Sequence, residues 1–84
     1  MLEWMEVESS VLAAVAYPDE ERLLFVEFRS GEVYLYLDVP REEFLRLLRA
    51  DSKGGYFNPH IRDRFRFLRL GLYRHRELSG TASF

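Results

Sequence analysis

The first half of the chain carries short apolar runs separated by polar turns, as β-strands require. Residues 11–17 are almost entirely apolar and end at Pro18-Asp19, residues 22–28 form a second apolar run, and residues 33–37 alternate strictly between apolar and aromatic side chains. Runs of this length, bounded by turn residues, predict strands. The short spacers between them predict hairpin connections, so we expect a three-stranded antiparallel meander.

The turn between the second and third strands sets the predicted register. We expect Ser30 and Gly31 to form a two-residue hairpin loop, which places residue 29 opposite residue 32 and fixes every other pair. Because side chains alternate along a strand, one face then carries six apolar residues and is the expected core: Leu24, Val26, Phe28, Val33, Leu35 and Leu37. The other face carries Phe25, Glu27, Tyr34 and Tyr36, and we expect part of it to meet water or a partner.

The pattern changes to helical periodicity after the third strand. Phe44, Leu47 and Leu48 have the i, i+3, i+4 spacing of one helix face. Asp38 is the expected N-cap, because its side chain can accept a bond from a free amide of the first turn. We expect this helix to end near Ala50, before a polar segment that contains two glycines.

A second helix is predicted from about Pro59 to Arg66, with Asn58 as its cap. Residues 67–73 fit either a strand or a continued helix, and both alternatives stay open. The expected fold class is α+β: a three-stranded antiparallel β-meander with two helices packed on one face. We expect a single domain over residues 1–76, with a basic, aromatic C-terminal extension, and a polar tail over residues 77–84.

Composition excludes several classes of function. The 84 residues include no cysteine, which excludes a disulfide scaffold, a thiolate zinc site and a cysteine nucleophile. His60 and His75 have no carboxylate or thiol at ligand spacing, so we expect no metal and no cofactor. No phosphate-binding loop or nucleophile elbow is present, so we expect no enzyme. The acidic start and the absence of a long apolar run predict a cytoplasmic protein with no membrane partner.

The net charge of −2 hides an asymmetry along the chain. Residues 1–38 carry nine acidic and two basic side chains, whereas residues 39–84 carry five acidic and ten basic ones. Residues 52–76 hold seven cations and only Asp63 against them. Such a segment can attract phosphates. Alternatively, the basic half of the chain neutralises the acidic half inside the fold.

The glycine-containing segment 52–58 is the strongest candidate for a binding loop. Two glycines let backbone amides approach a ligand, Lys53 supplies a cation, and Tyr56, His60 and Arg62 lie close by in the sequence. A tight connection between two helices, with its aromatic side chains in the core, would explain the same pattern. If the second helix continues, Arg62, Arg66 and Arg69 lie along one of its edges and could follow a phosphate backbone.

Several short motifs resemble the KTSC domain in their order and spacing, over about residues 7–65. The motifs are Glu8-Ser-Ser10, Tyr17, Phe28-Arg-Ser-Gly31, Tyr34-Leu-Tyr36, Asp38-Val-Pro40, Ser52-Lys-Gly54, Tyr56-Phe-Asn58 and His60-Ile-Arg62. The resemblance implies a bacterial module that occurs alone and at the C-terminus of some lysyl-tRNA synthetases. Its function is not established, and RNA binding has been proposed for it from that context.

These observations together favour a non-enzymatic module that binds RNA of the tRNA class. The expected contacts are phosphates for the cations, and base stacking for the tyrosines, with an affinity that falls steeply with salt. The predicted nucleic-acid-binding residues are Tyr34, Tyr36, Lys53, Tyr56, His60, Arg62, Arg66 and Arg69. The alternative is a protein-interaction module, either a homodimer or the partner of a larger protein, which uses the Tyr34/Tyr36 face and the C-terminal extension.

Overall fold

A computed structural model describes residues 2–72, which form one antiparallel sheet and two helices. The α+β class and the three central strands are confirmed, but the sheet has five strands rather than three, in the order β1-β2-β3-β4-β5. The strands are β1 (Met5–Glu6), β2 (Leu12–Ala16), β3 (Leu24–Phe28), β4 (Glu32–Tyr36) and β5 (Phe67–Leu72). The helices are α1 (Arg41–Arg49) and α2 (Lys53–Phe57), and a π-helical turn, Asn58–Arg62, continues α2. The predicted tail over residues 77–84 lies outside the described residues.

The predicted register between β3 and β4 is wrong by one residue. Leu24 pairs with Tyr36 and Val26 pairs with Tyr34, so the connecting loop has three residues, 29–31, rather than two. Gly31 closes this loop at φ 97°, and its amide donates to the Phe28 carbonyl oxygen at 2.8 Å. A three-residue hairpin loop needs a left-handed residue at its third position, and glycine adopts that conformation without a steric cost.

The one-residue shift places each side chain of β4 on the face of the sheet opposite to the predicted one. Tyr34 and Tyr36 now share the face of Leu24 and Val26, whereas Val33 and Leu35 lie on the opposite face. The helices cover this first face, which we call the inner face. Its core unites the sheet with α1, α2 and the π-helical turn through Leu12, Val15, Leu24, Val26, Tyr36, Val39, Phe44, Leu47, Phe57 and Ile61.

The start of α1 differs from the prediction, and its end agrees with it. Asp38 adopts a left-handed conformation at φ 55° in the turn after β4, and no side chain caps α1 at Pro40. The predicted Asp38 cap is therefore wrong, because the chain reverses at Asp38 before the helix begins. The Tyr17 hydroxyl donates to the Val39 carbonyl oxygen at 2.6 Å and fastens this turn to the end of β2.

The glycine-containing segment is the first turn of α2 rather than a loop. The Ser52 hydroxyl accepts a bond from the Gly55 amide at 3.1 Å and so caps α2. The helix therefore begins at Lys53, six residues before the predicted start at Pro59. Gly54 allows close packing, since a Cβ atom there would lie 3.0 Å from Cγ2 of Val11. The helical run ends at Arg62, so the predicted edge of Arg62, Arg66 and Arg69 on one helix is wrong.

The outermost strands were absent from the predicted meander. β5 pairs with β4, which decides between strand and helix for residues 67–72 in favour of a strand. Phe67 lies opposite Tyr36, and Arg69 lies opposite Tyr34, so both belong to the inner face. Leu68 pairs with Leu35 and belongs to the other face, where the edge of Trp4 also packs on Phe25 at a centroid distance of 6.3 Å.

Candidate functional site

A groove of about 580 Å³ opens on the inner face where the helices do not cover β4 and β5. This volume is in the range of sites that bind small ligands. Its floor is aromatic and consists of Phe28, Tyr34, Tyr36 and Phe67. Its walls and rim are mostly polar and consist of Ser10, Val11, Arg29, Ser30, Glu32, Asn58 and Arg62. The groove therefore joins flat apolar surfaces to hydrogen-bonding and cationic groups.

The rings of the floor contact one another, with Tyr34 at the centre. The Tyr34 ring lies 5.4 Å from Phe28 in an edge-to-face arrangement, 6.3 Å from Tyr36 and 5.4 Å from Phe67. Such contacts add about 0.5–1.5 kcal/mol per pair beyond the area that they bury. Phe57, a fully buried residue of α2, lies beside the floor and contacts Phe28 and Tyr36 edge-on. This packing fixes the positions of the floor rings.

Tyr36 belongs to the core rather than to an exposed surface. Only 1% of it is exposed, so its predicted position on an open face is wrong, and the cause is the shifted register of β4. Burial raises the pKa of Tyr36 to about 12, the nearby Tyr34 adds to the rise, and Arg62 opposes it. Tyr36 supports the floor but offers no free ring face for stacking.

The arginines at the groove bond to carboxylates or to a backbone carbonyl oxygen. Arg62 donates from Nε to Asp63 at 3.2 Å, and both side chains are more than half exposed. Arg69 donates two bonds to the half-buried Glu32 carboxylate, at 2.6 and 3.1 Å. Arg29 donates from Nε to the Ser9 carbonyl oxygen at 2.9 Å. An exposed ion pair contributes about 0–1 kcal/mol, so the Arg62 guanidinium group can exchange its partner at low cost.

A second arginine-containing region, which we call the Glu43 cluster, comprises Glu43, Arg46, Tyr56 and Arg64. Glu43 is 6% exposed and accepts bonds from the Tyr56 hydroxyl at 2.8 Å, from Arg64 at 3.3 Å and from Arg46 at 3.4 Å. A buried carboxylate needs these partners, because an unpaired one would lose its hydration without compensation. Burial, together with the bond to Glu43, raises the pKa of Tyr56. The cluster is a structural link between α1, α2 and the segment before β5.

The predicted binding residues divide between the groove and other places. Tyr34, Tyr36 and Arg62 line the groove, and Arg69 is bonded to Glu32 on its rim. The other four predicted residues lie outside the lining. Lys53 donates to the Ala50 carbonyl oxygen at 3.2 Å, Tyr56 stacks on His60 at 4.0 Å as well as bonding to Glu43, and the Arg66 carbonyl oxygen accepts the Leu37 amide.

Sequence reasoning missed several residues of the groove. Phe28 was expected in the core, Arg29 in a cross-strand pair and Asn58 as a helix cap, and Phe67 had no assigned position. A signal was present, since eight of the eleven lining residues belong to the motifs that carry the resemblance: Ser10, Phe28, Arg29, Ser30, Tyr34, Tyr36, Asn58 and Arg62. Other motif residues have structural roles, such as Tyr17 at the turn after β4 and Ser52 at the start of α2.

Metal-ligand clusters and membrane-spanning helices are both absent from the described residues. Over residues 2–72, no three His, Cys, Asp or Glu side chains lie close enough together to hold a metal ion. Within the same range, neither helix has the length and the apolar composition needed to cross a bilayer.

Known proteins resemble the chain both in sequence and in fold. The sequence profile of the KTSC domain matches residues 8–65. A protein of Tsukamurella paurometabola is 42% identical over 64 residues, which cover 76% of this chain and 96% of that protein. The crystal structure of a KTSC domain protein from Yersinia pestis superposes with a TM-score of 0.80 at 30% identity, covering 84% of this chain and all of the other.

A similar sequence also forms a small part of a larger enzyme. The lysine–tRNA ligase of Nostoc punctiforme is 38% identical over 66 residues, which cover 79% of this chain but 12% of the ligase. The matched region is therefore a module, which is found alone or joined to a ligase, and it is not a catalytic family. On the profile, the relatives and the fold, the chain belongs to the KTSC domain family.

Proposed function

We propose that this domain binds RNA through the groove, with a base on the aromatic floor and phosphates at the arginine rim. The observation that carries the proposal is the meeting of Tyr34 and Phe67 with Arg29 and Arg62 in one groove. Every base has a flat π-face that can stack on an aromatic ring, and a guanidinium group binds phosphate in a bidentate manner. The two kinds of contact together match a nucleotide.

The ion pairs at the rim are compatible with this function. Arg62 is bonded to the Asp63 carboxylate, both side chains are more than half exposed, and an exposed pair of this kind contributes about 0–1 kcal/mol. A phosphate can therefore replace the carboxylate at little cost. Arg64 is different, because its removal from Glu43 would leave a buried charge with fewer partners.

The charge around the groove limits its electrostatic attraction. Three guanidinium groups, those of Arg29, Arg62 and Arg69, face two carboxylates, those of Glu32 and Asp63, which leaves a net charge of +1. We therefore expect about two phosphate contacts, which corresponds to a slope of about −1.4 in log affinity against log salt. This dependence is shallower than the steep one that the sequence predicts, and stacking supplies most of the affinity.

The proposed set of residues differs from the set predicted from the sequence. Tyr34 and Arg62 remain in it, Arg69 remains as a residue of the rim, and Tyr36 becomes a support for the floor. Lys53, Tyr56, His60 and Arg66 are no longer proposed to contact RNA, since they lie outside the groove lining. Phe28, Arg29, Asn58 and Phe67 join the set.

The relatives favour tRNA as the class of RNA. Three lysine–tRNA ligases from Nostoc and Trichormus strains match this chain over 12% of their length. A domain joined to a tRNA ligase encounters the tRNA on which that ligase acts. From the same relatives, we infer that this chain is also located in the cytoplasm. This support comes from analogy with the relatives, whereas the groove itself indicates only a nucleotide.

A titration of fluorescently labelled bulk tRNA, followed by anisotropy, tests the proposal. Phe67 and Leu68 provide a matched pair, since they are neighbours in β5, are 49% and 52% exposed, and lie on opposite faces of the sheet. We expect Phe67→Ala to weaken binding at least about fivefold and Leu68→Ala to leave it unchanged. Equal effects of the two variants, or no binding by the unaltered domain at tens of micromolar, would contradict the proposal.

The exposed leucines of β5 favour a second candidate function, association with another protein. Leu68 and Leu72 are 52% and 69% exposed on a strand at the edge of the described sheet. Exposed apolar side chains on an edge strand can pair with a second chain. Light scattering at high protein concentration separates the candidates. A dimer that Leu68→Lys dissociates would favour association, and a monomer at every concentration would exclude a homodimer.

A further inference from the structure

We infer that the groove receives one unpaired base rather than a run of stacked bases or a duplex. The inference rests on the proposed RNA binding and specifies the form of RNA that the groove selects. Its first support is the number of usable ring faces. Of the four rings at the floor, Phe67 is the exposed one, Phe28 and Tyr34 are half-buried, and Tyr36 is buried.

The floor offers one main stacking position. Tyr34 and Phe67 lie 5.4 Å apart with their planes tilted by 41°, and Phe28 meets Tyr34 edge-on, so the rings do not form one flat surface. Proteins that stack several bases on a sheet present several separate exposed rings on an open face. Here Phe67 is the exposed ring of the four, and the helices cover other parts of the same face, so the floor offers a place for one base.

Two segments from different parts of the chain line the groove beside the rings. Asn58 and Arg62, from the π-helical turn, stand on one side, and Ser10 and Val11, from the segment before β2, also line the groove. Bonds within the protein hold this second segment in place. The Ser9 hydroxyl accepts the amides of Val11 and Leu12 at 3.0 and 3.1 Å, and Arg29 donates to the Ser9 carbonyl oxygen.

The side chains beside the floor hinder the approach of a base that remains paired in a helix. A paired base has both its faces covered by its neighbours, so it reaches a recessed aromatic floor only after leaving the stack. An unpaired base in a loop, a bulge or a single-stranded end meets no such cost. The groove therefore selects RNA by the presence of an unpaired base.

The charges at the groove place the phosphates at its rim. Arg29 and Arg62 belong to two separate elements, the β3–β4 loop and the π-helical turn. Glu32 lines the groove as well, and its carboxylate repels a phosphate that approaches the floor. When a base lies on the floor, its flanking phosphates can lie next to Arg29 and Arg62 and away from the Glu32 carboxylate.

Three RNA hairpins of the same length test this inference with the unaltered domain. The first hairpin contains a single bulged nucleotide, the second has an abasic site at the bulge, and the third has a fully paired stem. A non-nucleotide linker closes all three stems, so that none of them carries an unpaired loop base. We expect the bulged hairpin to bind at least about fivefold more tightly than the other two, because stacking of one base supplies the difference. The Phe67→Ala variant should bring the three affinities together, whereas Leu68→Ala should preserve their order.

The outcomes separate this inference from the proposed function. Equal binding of all three hairpins would overturn the single-base inference and leave RNA binding intact. Preference for the fully paired hairpin would also overturn it, in favour of recognition of the duplex backbone. No binding of any hairpin, together with no binding of bulk tRNA, would overturn both proposals.

Discussion

The Glu43 cluster and the rim of the groove both contain arginine–carboxylate pairs, but these pairs have different roles in the two places. In the cluster, Arg64 and Arg46 bond to a carboxylate that is 6% exposed. At the rim, Arg62 bonds to Asp63, and both side chains are more than half exposed. The guanidinium groups are similarly exposed in the two places, so the difference lies in the carboxylate.

The comparison teaches that the burial of the acid decides what an arginine can do. A buried carboxylate requires its partners, so the arginines beside it stabilise the fold and are not available to a ligand. An exposed carboxylate is hydrated with or without its partner, and the arginine beside it remains available to a ligand. A count of cations along the sequence therefore overestimates the binding surface, because it gives Arg64 the same weight as Arg62.

The largest effect is expected in the Glu43 cluster. Glu43→Ala removes the acceptor of the Tyr56 hydroxyl and of two guanidinium groups. Since a bond to a charged group contributes about 1.5–3 kcal/mol, we expect the free energy of unfolding to fall by about 3 kcal/mol. Urea denaturation measures the change. Glu42→Ala is the control, because Glu42 is exposed in the same turn, and it should cost less than about 1 kcal/mol. Equal losses would contradict the structural role of Glu43.

The second prediction concerns the buried floor of the groove at alkaline pH. The pKa of Tyr36 is about 12 in the folded protein against 10.0 in the unfolded chain. Between these values the unfolded chain releases the proton first, so stability from Tyr36 is complete below pH 10 and is lost as the pH rises to 12. The loss amounts to about 3 kcal/mol, since one pKa unit corresponds to about 1.4 kcal/mol.

Tyr36→Phe isolates this contribution. We expect the variant to lose less stability than the unaltered domain between pH 10 and 12, and to follow the same pH dependence between pH 7 and 9. Denaturation curves of both proteins at each pH give the difference. Parallel curves over the whole range would show that Tyr36 ionises as freely in the folded protein as in the unfolded chain.

The smallest effect on stability is expected at the rim. Asp63→Asn removes an exposed carboxylate, so the free energy of unfolding should change by no more than about 0.5 kcal/mol. RNA affinity should rise severalfold, since Arg62 loses its competing partner and the groove gains one unit of positive charge. Anisotropy titrations of both proteins at one salt concentration measure the change. A weaker affinity for the variant would argue against a phosphate at Arg62.

Local sequence signals were sufficient for the central part of the fold and insufficient for its register. The apolar runs predicted the three middle strands, and the spacing of Phe44 and Leu47 predicted α1 and its burial on the sheet. The loop between β3 and β4 admitted two lengths. Gly31 fits the two-residue loop and the three-residue loop equally well in sequence, and the pairing of Leu24 with Tyr36 shows that the longer loop forms.

Residues beyond the local pattern accounted for the other errors. The two glycines of α2 favour a loop by propensity alone. The Ser52 cap and the close packing of Gly54 against Val11 favour the helix instead. The strand β5 depends on pairing with β4, a contact between residues more than thirty positions apart. No local window contains that information.

The candidate site was predictable in part for the same reason. Tyr34 and Arg62 were identified by residue type, and both line the groove. Phe67 joins them only through the pairing of β5, and Arg29 only through the three-residue loop. Tyr56 had the expected chemistry but contacts Glu43 and His60, two partners that the sequence pattern did not connect to it.

The most direct test of the groove is a titration of the ¹⁵N-labelled domain with the bulged RNA hairpin, followed by amide chemical shifts. The account predicts that the largest shift changes occur at Ser10, Arg29, Asn58, Arg62 and Phe67, and that Glu43, Lys53 and His60 change little. Largest changes at the Glu43 cluster, or at Leu68 on the opposite face of the sheet, would contradict it.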